Sequence, residues 1–354
     1  MSSNNSNNTV AGGLTYPSEN AGSSQPLPVQ PRQPRNLQGL LKFAMEATKA
    51  EDAPGNSHFG EMDEERQRFL AAALASLTVD LSAILKNSIE VLTNTSRMQS
   101  IQLGANLPED VENAFTSLLE ITDDMDVAND FYKLGGFAVF PICYGSENEQ
   151  VRVYASTLLA ELCQNNPFCQ AKALECGFLN VLLTLAHSEH GEALAKCLYA
   201  ISCCCREFEP ACRELTSHGG CEILAQLLRA PETNVRTKAA FFIRYLCQHH
   251  NEAKEHFIRS NIVGTIAKQI SSGHDQTSEH LLSVMIALLD GLDPVVMRQF
   301  QEPLIGLKNI LENHLKHPDL VDDTYQEEKD YCQELLTKIF QNSPTVLCME
   351  EADR

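Results

Sequence analysis

Positive charge is scarce in this chain. Lys and Arg number 27 against 47 Asp and Glu, a net charge of −20. A phosphate backbone repels such a surface unless a local basic patch relieves it, so nucleic acid is a poor partner and a basic patch on another protein a better one. Long apolar runs are missing too. The longest, "GFLNVLLTLA", is about half of what a membrane-spanning helix needs, so no membrane association is expected. The first twenty residues have neither a positive n-region nor an apolar h-region, and the final "EEADR" carries no retrieval or lipidation motif. A cytoplasmic location is expected, with the nucleus also open.

There is no C-x-x-C pair among the 13 cysteines, and Cys203, Cys204 and Cys205 are adjacent. That spacing suits reduced thiols acting as small apolar core residues better than a disulfide scaffold. A zinc site needs four ligands at patterned spacing, which His218, His249 and His250 do not offer, so no metal or other cofactor is expected. Catalysis finds little support. Cys203 could be exposed beside Arg206, with His218 not far in sequence, but a Cys nucleophile needs a base and a lowered pKa. Nothing resembles an oxyanion hole or a phosphate loop. The chain is read as a binding protein, not an enzyme.

What the sequence does contain is a repeat. Gly135, Gly177 and Gly219 are 42 residues apart, and Asn261 takes the next place. Three apolar columns keep the same register: Ala155, Cys197, Ala239 and Leu281; Leu158, Ala200, Phe242 and Val284; Leu162, Cys204, Leu246 and Leu288. Within a unit the period is helical. Phe178, Val181, Leu182 and Leu185 share one face at i, i+3, i+4 and i+7, and Ala239, Phe242, Ile243 and Leu246 face inward on a second helix. A shorter helical piece precedes each glycine, with Pro167 and Pro210 suited to its first turn. Gly or Asn at the recurrent position fits a left-handed turn between helices.

Helical units of this length indicate armadillo or HEAT arrays, and the three-part unit is the armadillo form. The expected fold is all-α: a right-handed α-solenoid of about four to five armadillo-like repeats over residues 110–315, four of them reaching to about 290 and a degenerate fifth following. Capping helices are expected at 60–95 and 316–341, because exposed solenoid ends need covers. Residues 1–34 have the composition of a disordered tail, and 342–354 read as a flexible acidic tail. Between tail and cap, 35–50 hold a short amphipathic segment with Leu37, Leu40, Leu41, Phe43 and Met45. Asn36 could cap it and Gly39 weakens it.

An armadillo stack binds partners on the concave face lined by its third helices. The register puts four sets of side chains on that face: Tyr154, Thr157, Glu161 and Gln164; Lys196, Tyr199, Cys203 and Arg206; Lys238, Phe241, Tyr245 and Gln248; His280, Ser283 and Ala287. Exposed aromatics beside Arg and Lys have the composition of a binding hot spot. Glu161, Lys196, Tyr199, Arg206, Lys238, Phe241, Tyr245, Gln248 and His280 are the candidate partner-binding residues.

The segments "PRNLQGLLKFA", "LLEITDDMDVANDFYKLGGF", "ALAKCLYAISCCCRE", "VRTKAAFFIRYLCQHH" and "TYQEEKDYCQELL" carry a resemblance in their order and spacing. Over most of Pro34–Gln341 the chain resembles the heat-shock-protein-70-binding protein family, nucleotide exchange factors with an armadillo core. The resemblance implies a co-chaperone. Its concave face would embrace one lobe of the chaperone's ATPase domain and favour the open arrangement from which ADP leaves. It also implies that Leu37, Leu40, Leu41, Phe43 and Met45 belong to a release element engaging the chaperone's substrate-binding domain. A monomer and a cytosolic chaperone are expected. The alternative is a general armadillo adaptor or scaffold for other protein ligands. Transport receptors of this architecture use a ladder of Trp and Asn, and this chain has no Trp.

Overall fold

The residue that recurs every 42 positions sets the backbone. Gly135, Gly177 and Gly219 have φ of 82°, 73° and 76°, and Asn261 has φ of 54°. All four are left-handed, a conformation that costs most residues but neither Gly nor, to the same degree, Asn. A Cβ added at Gly135 or Gly177 would meet nothing within 4 Å, so backbone angle, not space, requires glycine there. At the next position space does decide: a Cβ on Gly220 would lie 2.5 Å from Leu215 Cγ.

The computed structural model describes residues 80–291 and 293–341. Segments 1–34 and 35–50, with Leu37, Leu40, Leu41, Phe43 and Met45, lie outside the described residues, as do 60–79 of the expected N-terminal cap and the tail 342–354. The helices run in order α1 (Leu81–Thr93), α2 (Thr95–Gln99), α3 (Glu109–Ile121), α4 (Met125–Lys133), α5 (Val139–Tyr144), α6 (Glu149–Cys163), α7 (Pro167–Glu175), α8 (Phe178–Ser188) and α9 (Gly191–Cys205). They continue as α10 (Glu209–Ser217), α11 (Gly220–Leu227), α12 (Thr233–His249), α13 (Asn251–Arg259), α14 (Ile262–Ser271), α15 (Ser278–Leu289), α16 (Pro294–Phe300), α17 (Leu307–His314) and α18 (Gln326–Leu336). Every third helix packs on the next of its kind, so α3, α6, α9, α12, α15 and α18 form one row. Among the described residues there is no strand, and no single helix is long and apolar enough to cross a membrane. The fold is an all-α armadillo-type solenoid. Gln326–Leu336, read as a cap, closes the row by packing on α15 as α15 packs on α12.

The three apolar columns are its spine. All twelve of their residues are buried, none more than 2% exposed. Small members, such as Cys197 and Ala200, allow α9 its extensive contact with α6. Pro167 opens α7 behind the Asn166 cap, whose side chain accepts from the Cys169 amide. Val181 departs from its expected place and is 39% exposed. Helix α8 meets α9 on one side and α11 of the next unit on the other, so its buried arc is Phe178, Leu179, Leu182, Leu183 and Ala186.

Polar ties recur 84 residues apart. Arg152 donates to Ser146 O and pairs with Glu189, while Arg236 donates to Ala230 O and pairs with Asp275. Gln170 Nε2 donates to the carbonyls of Cys203 (2.8 Å) and Arg206 (2.9 Å) at the end of α9. Lys254 Nζ does the same for Ala287 (3.0 Å) and Asp290 (2.6 Å) after α15. The last turn of a helix leaves carbonyls without partners, and these side chains satisfy them. The α9 tie matters most for function, because Cys203 and Arg206 border the site described next.

Candidate protein-binding site on the third helices

Between the end of α6, the outer face of α9 and the start of α12 lies a groove of about 270 Å³. Gln164, Asn165, Tyr199, Arg206, Lys238 and Phe241 are among its lining residues. Its side chains are linked across repeats. The Tyr199 hydroxyl lies 3.2 Å from Glu161 Oε1 and 3.1 Å from Gln164 Oε1 and donates to that pair. The Lys238 ammonium sits 5.4 Å from the centroid of the Tyr199 ring. The Arg206 guanidinium covers the Tyr245 ring at 4.7 Å and donates from Nε to Ser202 Oγ at 2.9 Å. Cation–ring pairs of this kind fix both partners while leaving the charge facing outward.

Tyr245 is held at its other end by backbone. The Glu207 amide donates to Tyr245 Oη at 2.6 Å. Glu207 has φ of 57°, and Asn165, 42 residues earlier, has φ of 53°. Non-glycine residues seldom adopt such angles, and Glu207 does so where its N–H reaches the phenol. Phe241 is 48% exposed, an unusual state for a phenyl ring, with one flank against the His280 imidazole at 4.5 Å.

Burial tunes the ionisable groups. It holds the Lys238 pKa below the ordinary lysine value, and Lys196 pushes the same way. It pushes the phenols of Tyr199 and Tyr245 up from their ordinary values. The Cys203 thiol is pushed up to about 12, chiefly by burial. That overturns the reading of Cys203 as an outward residue and a possible nucleophile: it is 6% exposed and forms part of the groove's floor. Ser283 and Ala287, also read as outward, are buried. Helix α15 is packed between α12 and α18 and its side chains at these positions are small, so positions that face outward on α12 are covered on α15.

The structure thus brings the candidate residues into two linked groups, Glu161 with Tyr199 and Lys238, and Arg206 with Tyr245, and Phe241 packs on His280. Lys196 is half-buried on the same helix as Tyr199, and Gln248 is exposed near the end of α12. Sequence reasoning missed Asn165, Ser202 and Glu207. The 42-residue spacing of Asn165 and Glu207 was visible, but an Asn paired with a Glu does not signal a left-handed turn. Among the described residues, one cluster has metal-ligand chemistry, and it lies near the last repeat, away from the groove.

Residues 127–262, which include the groove, match the family described as "SIL1/FES1/HPBP1 C-terminal domain". This part of the chain is similar to that family. It is 29% identical to the mouse (Mus musculus) protein named Hsp70-binding protein 1 over 321 residues, spanning 89% of this chain and 88% of that one. It is 26% identical over 157 residues to mouse Nucleotide exchange factor SIL1, across 44% of this chain and 33% of the other. A designed armadillo repeat protein superposes with a TM-score of 0.55 at 16% identity, covering 71% of this chain and 99% of the design. That likeness concerns the fold alone.

Proposed function

We propose that this chain is a co-chaperone that acts as a nucleotide exchange factor for a cytosolic heat-shock protein 70. The row of third helices grips the chaperone's ATPase domain. The observation that carries this reading is the half-exposed Phe241 between Lys238 and His280, on the groove, in a chain similar to an Hsp70-binding protein and to a nucleotide exchange factor. A hot spot needs an apolar anchor with fixed polar neighbours. Here Phe241 is the anchor, and the cations over Tyr199 and Tyr245 supply the fixed polar rim. Lys196, Lys238 and Arg206 then meet carboxylates on the partner, which orients the encounter.

Exchange follows from selective binding. A surface complementary to the open arrangement of the ATPase lobes raises its population, and ADP leaves faster. By linkage, bound nucleotide weakens the hold of the exchange factor in turn. No covalent step is required of this chain. The proposal extends to residues 35–50, where Leu37, Leu40, Leu41, Phe43 and Met45 would engage the chaperone's substrate-binding domain as a transient mimic of a client peptide.

The test is stopped-flow release of a fluorescent ADP analogue from cytosolic heat-shock 70 paralogues. Wild-type chain should accelerate release, and Phe241→Ala should shift the half-saturating concentration upward. Acceleration unaffected by Phe241→Ala would move the grip elsewhere. The absence of acceleration with every paralogue would leave a general armadillo adaptor in place of a co-chaperone.

A further inference from the structure

Near the last repeat, five titratable side chains from three separate segments converge. His274 belongs to the loop between α14 and α15. His314 ends α17, and His317 and Asp319 belong to the turn that follows it. Glu328 lies in the first turn of α18. The Glu328 side chain is 1% exposed, and its two oxygens are shared between two imidazoles: Oε2 is 3.2 Å from His274 Nε2, and Oε1 is 2.5 Å from His314 Nε2. The other nitrogen of His274, Nδ1, lies 3.3 Å from Asp319 Oδ2. His317 Nδ1 is 3.7 Å from the same oxygen, and the His274 and His317 rings are 5.1 Å apart.

We propose that His274, His317 and Asp319 bind a divalent transition-metal cation, with zinc the best fit. Each offers one ligand atom, and these atoms lie within 4.8 Å of one another. The second observation is the position of Glu328. A metal-bound histidine characteristically gives its other ring N–H to a carboxylate, which fixes its tautomer and strengthens it as a ligand. His274 has that arrangement: Nε2 faces buried Glu328, leaving Nδ1 directed at Asp319. His314 holds the far oxygen of Glu328 and keeps the carboxylate in place.

Two imidazoles with one carboxylate suit zinc or cobalt; magnesium and calcium prefer sites made only of oxygen. Zinc–ligand bonds of about 2.0–2.2 Å would bring neighbouring ligand atoms to roughly 3.3 Å, closer than the widest separation here. Binding therefore draws the Pro318–Val321 turn inward. His317 and Asp319 are on that side, with side chains 36% and 59% exposed, and the movement would release the Asp319 amide from His317 Nδ1, which accepts from it at 3.3 Å. The ion would join the loop before α15 to the segment before α18 and so clamp the two last repeats together, at the end of the array that most needs support.

The full-length chain, stripped with chelator and dialysed, is titrated with Zn²⁺ by calorimetry and with Co²⁺ by visible spectroscopy. The expected result is one ion per chain, a cobalt d–d band, and no thiolate-to-cobalt charge-transfer band. Zinc at about a hundred times Kd should raise the melting temperature by roughly 5–10 °C. Asp319→Asn should keep the chelated protein's melting temperature, His317→Ala should lower it slightly by removing the cap on the Asp319 amide, and each should abolish the rise measured against its own chelated baseline. Failure to take up one ion per chain would overturn the site. So would uptake that survives both variants, or uptake with a thiolate band, which would place the ion on cysteines instead.

Discussion

Phe241→Ala separates a binding role from a structural one. Its ring is 48% exposed, and its other flank rests on His280. A phenylalanine can bury at least about 150 Å². If a partner covers the exposed half and a margin of its surroundings, on the order of 100 Å² of apolar surface is newly buried. At about 25 cal/mol per Å² this is worth about 2.5 kcal/mol. At about 1.4 kcal/mol per decade, the variant should lose between tenfold and a hundredfold in affinity for the ATPase domain. Folding should suffer much less, because half of the ring is already in water and the cavity left behind is open; a loss of under about 1 kcal/mol is expected. The assays are calorimetric binding to the isolated ATPase domain and urea unfolding of the variant alone. Unchanged affinity with unchanged stability would refute the reasoning. A large loss of stability would show that the ring is a structural wedge.

Gly177→Ala should cost about 1 kcal/mol in urea unfolding, from its left-handed backbone alone, while Gly177→Asn should cost less because Asn261 occupies the equivalent place. Gly220→Ala should cost more, about 1–3 kcal/mol, because its Cβ would strike both the Leu215 side chain and the Leu215 carbonyl at 2.7 Å. Glu207→Gly should stabilise the chain by about 1 kcal/mol by removing a strained positive φ, and should leave partner binding unchanged because the backbone N–H that holds Tyr245 remains. Lys238→Met should raise the melting temperature at neutral pH and slow association with an acidic partner. The native lysine's pKa lies below its unfolded value, so the unfolded chain binds more protons between the two, stability rises with pH there, and the full burial cost stands at pH 7. Among the described cysteines, iodoacetamide should label Cys176 first in the native state. Cys176 alone of these is exposed, whereas Cys203, Cys221 and Cys247 are buried thiols raised to about 12 and should react only on unfolding, as mapped by mass spectrometry.

The α-solenoid was legible because each repeat writes its own geometry locally. Helix period, a left-handed residue and three apolar columns recur at one spacing, and a stacked array uses nearest-neighbour contacts whose register is that spacing. The outward face followed from the same register for Tyr199, Arg206, Lys238, Phe241 and Tyr245. It failed at Cys203, Ser283 and Ala287, where the adjoining helix, not the residue's own period, decides exposure. Val181 failed for a similar reason: two neighbours on different sides moved the buried arc of α8.

The clearest contrast is between the repeat and the histidines. His218, His249 and His250 attract notice in the sequence because they cluster along the chain, and they form no ligand set. His274, His314 and His317 are spread among Gly, Asp, Asn and Pro residues, and their shared carboxylate Glu328 lies 54 residues beyond the first of them. Amino-acid order alone determined the repeat length, the turn residues and the core columns, because these depend on backbone angles and on contacts a fixed number of residues apart. Only the tertiary structure decided which cations lie over which rings, that Glu207 bends to hold Tyr245, and that Glu328 sits in the dark between two imidazoles. Those depend on distances between side chains of different repeats, which packing sets and no local period records.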